Sequence, residues 1–388
     1  KYIDYSIVNP KRLPLDLQFD VCQRCHLQGT AVLANGKTFT DFKPGKHLNE
    51  VMDVYLPKYE NEESFIMASH VERLKQSACF KTAEITCISC HDPHNNINNV
   101  STAYFDNKCM QCHSDCKDEQ IQNCTSCHMP KSTTTDIQHV SISDHKISIP
   151  SSIKKEKGKF LGLFAINNDF PTNLSKAKAY LKHFESFEQN PIYLDSALVY
   201  LNQTKIDFPT NIQYFYLKND ANGLVNFVMS NTIDSLIYKN SDLALAYSRM
   251  AEMFAIKDLT LDAKRYYDNS VSLMPFVIDY KLKLGAFLID NKQLIAAKVI
   301  FETALALNPT HKEIHLNLGY IFILQQKFIL ADLYLKQAIA LDPDYILAYE
   351  NLVLCAQIQN NMINVKVYLN KILEIAPNYN ASLILENL

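Results

Sequence analysis

The sequence has no tryptophan, no excess of charge of one sign, no run of about 20 apolar residues, and only one cysteine beyond its first third. Each shortage narrows the field. A formal net charge of −3, with Lys and Arg scattered in short groups, gives no electrostatic reason to expect nucleic-acid binding. Without an apolar run of bilayer length, no membrane span is expected. The chain begins at Lys1 and not at Met, which reads as a processed chain or a piece of a longer one.

What is present is concentrated. Ten of the eleven cysteines lie between Cys22 and Cys127, with only Cys355 outside, and nine of the twelve histidines precede residue 150. The N-terminal part is rich in Asn, Asp, Thr and Cys, and the remainder in Leu, Ile, Ala and Tyr. At 388 residues, about two domains are expected. One is built around something other than its own apolar core; the other packs as conventional helices.

Four copies of Cys-x-x-Cys-His stand in the first part: Cys22–Cys25–His26, Cys87–Cys90–His91, Cys109–Cys112–His113 and Cys124–Cys127–His128. Two thiols three residues apart can add across the two vinyl groups of one porphyrin, and the next residue then brings an imidazole under the iron. Zinc sites use Cys-x-x-Cys pairs without needing a His after each. With 12 histidines in 388 residues, chance puts one after all four pairs on the order of once in a million times. A thioredoxin-type dithiol would occur once. The reading is four covalently bound haems c.

Each iron then takes a sixth ligand or stays open. Five further histidines are candidate distal ligands: His47, His70, His94, His139 and His145. Five for four irons permit bis-histidine coordination throughout, which closes the metal to substrate and suits electron transfer. His94, in Cys-His-Asp-Pro-His, is too close to His91 to reach the far face of the same haem and is assigned to a neighbouring one. His70 falls in a helix-like stretch over 62–76. Met67 and Met110 are read as packing against porphyrin. Cys79 and Cys116 belong to no motif; a disulfide between them and two free thiols are both open. The region is expected to be loops and short helices wrapped on the cofactors.

A period appears from about residue 240. Pro275, Pro309, Pro343 and Pro377 recur at intervals of 34, as do Ala263, Ala297 and Ala331, and Leu284–Gly285 with Leu318–Gly319. Small residues at these places let paired helices approach closely, and the proline closes the second helix of each unit. The pattern resembles the tetratricopeptide repeat in about four units, without the family's usual Trp; Tyr247, Tyr280 and Tyr349 lie near the matching first-helix positions. Residues 160–240 are helix-like without a clean period, and the lysine-rich stretch over 153–159 reads as a linker. His311 and His315 share a helix face but lack a third ligand, and Cys355 reads as a buried small residue.

The expected fold is mainly α: a loop-rich tetrahaem cytochrome c domain over 1–150, a linker and degenerate helical region over 151–240, and an α-solenoid of tetratricopeptide-type hairpins over 241–388. Cys87-Ile-Ser-Cys-His-Asp-Pro-His94, Cys109-Met-Gln-Cys-His113, Cys124-Thr-Ser-Cys-His-Met-Pro-Lys131 and Asp144-His145 with Pro150 resemble the C-terminal haem region of a bacterial family. That family joins a multihaem cytochrome module, related to the pentahaem nitrite reductase and octahaem cytochrome group, to tetratricopeptide repeats. Further motifs that relatives carry before the position of Cys22 are missing, which leaves a spare distal histidine for an absent haem or one in a neighbouring subunit. The nitrite reductases' Cys-x-x-Cys-Lys motif is also absent.

The resemblance and the motifs together imply an electron-transfer protein whose repeats dock redox partner proteins or further copies of the chain, in the extreme as a conducting filament. The alternative is an oxidoreductase acting on small nitrogen or sulfur compounds at one five-coordinate haem, with His113 or His26 as its proximal ligand. A third reading is a scaffold with structural haems. Thioether attachment of haem takes place outside the cytoplasm, so a periplasmic or cell-surface location is expected.

Overall fold

The structure is a computed structural model that describes residues 8–60, 69–113, 123–133, 139–149, 158–233 and 235–380. It divides into two compact units, residues 1–217 and 218–388.

The first unit runs α1 (Leu15–His26), β1 (Thr30–Leu33), β2 (Met52–Tyr59), α2 (His70–Gln76), α3 (Ala78–Ala83), α4 (Cys87–Cys90), α5 (Thr102–Met110), α6 (Cys124–His128), β3 (Lys131–Thr133), β4 (Ser141–Ser143), β5 (Phe160–Ala165), α7 (Asn173–Ser186), α8 (Pro191–Leu201) and α9 (Phe208–Leu217). Short helices and loops dominate the motif-bearing stretch, as the sequence suggests. A three-stranded antiparallel sheet, ordered β1-β2-β5, was not expected. Tyr55 pairs with Thr30 on one side and Ala165 on the other. Pro57, which has no N–H to give, falls where β2 has run past β1 and only β5 remains as a neighbour.

This sheet carries its own apolar core. Tyr55, Val32 and Leu163 pack with Ala177, Tyr180 and Leu181 of α7 and with Tyr193 and Ala197 of α8. The buried hydroxyl of Tyr55 donates to Ser175 Oγ at 2.9 Å, and Ser175 in turn donates to Asp53. Two smaller clusters, around Phe19, Val71 and Leu74 and around Leu48, Met52 and Val54, sit beside the motifs. The N-terminal region therefore does not depend on a cofactor for all of its core. The domain limits move as well. The expected boundary at 150 gives way to one after Leu217, because β5 joins β2 and α7 covers the sheet. Most of the proposed lysine-rich linker lies outside the described residues.

Between β2 and β5 the chain leaves the sheet and returns. The Glu60 N–H donates to the Lys159 carbonyl at 3.0 Å, and the Lys159 N–H donates to Glu60 Oε2 at 3.2 Å. The two ends of this long excursion, which holds three of the four motifs, are pinned together.

The second unit opens with α10 (Ala221–Ser230) and continues as four helical hairpins: α11 (Asn240–Ile256) with α12 (Thr260–Leu273), α13 (Ile278–Asp290) with α14 (Leu294–Leu307), α15 (Lys312–Leu324) with α16 (Phe328–Leu341), and α17 (Ile346–Ile358) with α18 (Met362–Ile375). The expected period of 34 is met in space. Ala263, Ala297 and Ala331 are fully buried, and Pro275, Pro309, Pro343 and Pro377 each follow the end of a second helix. A Cβ on Gly319 would meet Leu335 Cγ at 2.7 Å, and one on Gly285 would overlap the Phe301 ring. Each hairpin turn places one residue at positive φ, Asp258, Lys292, Gln326 and Asn360, again 34 apart. The next N–H in each case reaches back to Phe254, Leu288, Phe322 or Ala356 and closes the first helix.

Candidate functional site

Each Cys-x-x-Cys-His motif rides on about one turn of helix, which sets its two thiols on one side with the imidazole next in line. Cys22, Cys25 and His26 form the last turn of α1. Cys87 to Cys90 is α4, and the His91 N–H donates to the Cys87 carbonyl at 2.8 Å. Cys109 lies in the last turn of α5, and the turn beyond the helix carries Cys112 and His113, whose N–H groups both donate to the Cys109 carbonyl. Cys124 to His128 is α6. The turns are fixed by local caps: Thr86 with Ser89 ahead of α4, and Asn123, whose side chain accepts from the Ser126 N–H at 3.0 Å, ahead of α6.

All eight motif cysteines are free thiols, as is Cys79. Its suggested partner Cys116 lies outside the described residues. The motifs meet in pairs through their first sulfurs, Cys22 with Cys87 and Cys109 with Cys124. A hydrogen bond from Cys87 pulls the Cys22 thiol down to about 7 against the effect of burial. The same bond, with burial, pushes Cys87 up. Burial also raises Cys90. Asp106 of α5 accepts from the Cys124 N–H at 2.8 Å and ties the third motif to the fourth.

Four imidazoles converge. His26 lies against His70 with ring centroids 5.5 Å apart, His70 against His145 at 4.5 Å, and His91 against His145 at 6.2 Å with planes 29° apart. Backbone pairing explains the meeting: Leu27 bridges Ser69, so the residues beside them, His26 and His70, are brought together. On the other side β3 pairs with β4, and the Asp144 N–H donates to the Pro130 carbonyl. Burial, followed by the proximity of His145, His26 and His91, pulls His70 down to about 4; burial also lowers His91 and His145. These rings are neutral near pH 7, the form that binds metal. Among the described residues the buried Nδ1 of His70 has no hydrogen-bond partner.

Several candidate histidines have one ring nitrogen occupied and the other free. His128 Nδ1 donates to the Ser148 carbonyl and His145 Nδ1 to the Ser143 carbonyl, each at 3.1 Å. His47 Nδ1 stands 3.1 Å from the buried Asp20 carboxylate. Burial pushes that carboxyl up, and the His47 hydrogen bond offsets part of the rise. Such anchoring is the usual outer support of a metal-binding imidazole and leaves Nε2 available. His94, His113 and His139 are exposed and lie outside the four-ring cluster; Met110 is exposed as well, and Met67 falls outside the described residues. Among the described residues, no three His, Cys, Asp or Glu side chains are grouped to hold a bare metal ion.

Sequence reading missed the residues that support the candidate ligands and motifs: Asp20 beside His47, Asp106 at the fourth motif, Arg73, and the part played by Asp144. Arg73, one turn after His70 on α2, donates from Nε to Asp144 Oδ1 at 2.8 Å and from its terminal nitrogen to Oδ2. Both side chains are buried. Burial alone would raise Asp144, but the Arg73 and Lys146 hydrogen bonds and the Arg73 charge hold it below the usual carboxylate range. The only available sequence signal was adjacency, Asp144 standing immediately before a candidate ligand.

In the second unit, a cavity of about 340 Å³ is lined by Leu245, Val277, Asp279, Tyr280, Leu282 and Lys283, from the first helices of the first two hairpins and the turn between them. Among the described residues no helix is long and apolar enough to cross a membrane.

No curated protein matches the sequence. Among solved structures, the chain is similar to YrrB, described as a TPR protein with an unusual peptide-binding site, at 17% identity over 55% of this chain and 100% of that one, with a TM-score of 0.35. It is similar to PilW, a type IV pilus biogenesis factor, at 20% identity over 44% of this chain and 77% of that one, TM-score 0.37. It is similar to a thermophilic TPR protein of Thermus thermophilus at 19% identity over 49% of this chain and 92% of that one, TM-score 0.35. Of the family models, that of the tetratricopeptide repeat matches residues 312–345, which span the third hairpin, α15 with α16.

Proposed function

We propose that this chain is a multihaem c-type cytochrome that moves electrons outside the cytoplasm and uses its repeats to dock a redox partner protein or further copies of itself. The observation that carries the reading is the pairing of motif imidazoles with second imidazoles from distant parts of the chain, His26 with His70 and His91 with His145. Metal–imidazole bonds of about 2.0–2.1 Å, with the ring centre roughly 1.2 Å beyond the nitrogen, set two rings on opposite sides of one metal at about 6.5 Å between centroids. The 6.2 Å between His91 and His145 is close to that separation, while the 5.5 Å between His26 and His70 is about 1 Å short of it, so that pair must open slightly to take a metal between its rings.

The residues fit the group in three further respects. The eight motif thiols are unpaired and so open to thioether formation. His128, His145 and His47 are anchored through Nδ1, with Nε2 left to ligate. The buried Nδ1 of His70 lacks a partner among the described residues. Cys22 and Cys25, Cys87 and Cys90, Cys109 and Cys112, and Cys124 and Cys127 would hold four haems, with His26, His91, His113 and His128 as proximal ligands. Once bound, haem supplies one-electron exchange between ferric and ferrous iron. The protein's own part is to fix the imidazoles and, by burial, to favour the neutral form of His70, His91 and His145. The 4.5 Å contact between His70 and His145 sets the two proposed coordination pairs side by side, as electron relay requires.

One observation favours a second reading. His113 is exposed in the turn after α5, outside the cluster, and an iron held there would be the place for small nitrogen or sulfur compounds to react. The repeats support docking through their regular hairpins, since such solenoids present extended surfaces to peptides and proteins. The test is haem content per chain with the ferrous spectrum before and after carbon monoxide. Four haems and an unmoved spectrum support the electron carrier. A shift on part of the haem favours the oxidoreductase, and absence of covalent haem ends both.

A further inference from the structure

We infer that Arg73 and Asp144 form a single positioning clamp that sets the distal imidazoles of two neighbouring haems, His70 and His145, at once. The inference rests on the haem reading above and adds two residues that do not themselves ligate.

The geometry is specific. Arg73 lies one helical turn beyond His70 on the short helix α2, so its guanidinium is rigidly related to the His70 ring. Asp144 is the residue before His145. The guanidinium and carboxylate meet through two parallel hydrogen bonds, Nε to Oδ1 at 2.8 Å and the terminal nitrogen to Oδ2, the fork that only arginine can offer. Asp144 Oδ1 also accepts from the Lys146 N–H at 2.8 Å, which bends the backbone on both sides of His145 into one turn. Ile147 packs on the apolar side, against the cluster of Phe19, Val71 and Leu74. The bond from His145 Nδ1 to the Ser143 carbonyl then fixes the ring itself.

Both partners are about nine-tenths buried, at 9% relative exposure each, so the pair is shielded from solvent. A buried ion pair of this kind gives little net stability compared with apolar residues of the same size, but it imposes one geometry. Here the geometry imposed is that of two imidazoles from different parts of the chain, 4.5 Å apart. Loosening the clamp would therefore release both rings together and not one.

The experiment uses the full-length holoprotein with Arg73→Met, Arg73→Lys and Asp144→Asn. Covalent haem per chain is measured first, followed by the carbon monoxide difference spectrum of the ferrous form and low-temperature electron paramagnetic resonance of the ferric form. The expected result is four haems retained in Arg73→Met, with carbon monoxide binding to about half of them and loss of the matching low-spin signals. Asp144→Asn should match it. Arg73→Lys, which keeps the charge but not the fork, should bind carbon monoxide at a smaller fraction of its haem. If Arg73→Met is not recovered as holoprotein, Arg73→Lys decides, by the presence or absence of any carbon monoxide shift. Four haems with an unmoved spectrum in the variants overturn the clamp alone. A wild-type chain without covalent haem overturns the cytochrome reading and the clamp with it.

Discussion

His315 and Tyr349 stand 34 residues apart and make the same hydrogen bond. Each donates from its ring to the carbonyl of the proline six residues earlier, His315 Nε2 to Pro309 at 2.8 Å and the Tyr349 hydroxyl to Pro343 at 3.2 Å. The bond ties the first helix of a hairpin to the turn that precedes it. It also accounts for His315, which with His311 has the spacing of a metal-binding pair: its Nε2 is committed as a donor, and the ring is buried beside Tyr334.

This equivalence makes His315→Tyr the mild substitution and His315→Leu the damaging one. Leaving the Pro309 carbonyl unpaired should cost about 1–3 kcal/mol. Tyrosine, able to repeat the neighbouring hairpin's bond, should restore most of that loss. Thermal unfolding followed by circular dichroism at 222 nm distinguishes them. Equal losses in the two variants would mean that the bond contributes nothing and only ring volume counts.

Gly285→Ala should destabilise the repeats although alanine is the better helix former. Its methyl group would enter the space of the fully buried Phe301 ring. Overpacking of this kind typically costs about 1–3 kcal/mol, against a propensity gain of about 1 kcal/mol. A lowered denaturant midpoint at unchanged slope is the expected outcome, and a raised midpoint would mean that Phe301 moves aside freely.

The hairpin turns hold an opposite opportunity. Lys292 and Gln326 sit at φ +58 each, a conformation that burdens any side chain with a Cβ. Lys292→Gly and Gln326→Gly should each stabilise by about 1 kcal/mol. Asp258 and Asn360, whose types tolerate this region better, should gain less. A stability order that does not separate these two pairs would place the strain elsewhere.

His183 gives the first unit a pH dependence away from the motifs. Burial, opposed in part by Glu188, lowers its pKa, and its Nδ1 is 3.0 Å from Thr30 Oγ1. The unfolded chain takes up this proton first as pH falls through about 6.5. The stability contributed by the neutral ring is therefore complete above that value and lost from there down through the lower folded pKa. Urea midpoints at pH 7.5 and 5.5 should differ more in the wild type than in His183→Gln. Identical differences would remove His183 from the account.

His70→Ala and His145→Ala address the proposed ligand pairs one at a time. Each should keep all four covalent haems and open about a quarter of them to carbon monoxide. Histidine variants that open no iron would break the assignment of pairs while leaving the motifs in place.

What could be read in advance follows the range of the interactions involved. The 34-residue period was legible because each hairpin is made of neighbours in sequence, with Ala297, Gly285 and Pro309 each acting within its own hairpin or at its edge. The cysteine motifs could be found for the same reason, each being confined to five residues on about one helical turn. The sheet was not: β5 is the short apolar run Phe160–Ala165, whose pattern does not separate strand from helix, and its partner β2 lies about a hundred residues earlier. The pairings of His26 with His70 and of Arg73 with Asp144 were hidden too, since each joins segments that meet only in the folded chain.

The bond between Glu60 and Lys159 has a consequence for how such a chain can be rebuilt. An excursion that leaves and re-enters a sheet at one point is a cassette. Its entropy of closure is set by the sheet, and it rises only by about 0.6 kcal/mol for each doubling of length. The excursion also packs on α1, through the Leu27–Ser69 bridge and the Phe19 cluster, so motifs can be added to or deleted from its interior with the pairing of β2 and β5 kept, provided those contacts are left in place. A direct graft, replacing residues 61–158 by a short turn, should leave the Tyr55 core folded while removing three of the four Cys-x-x-Cys-His motifs and the residues that cover α1.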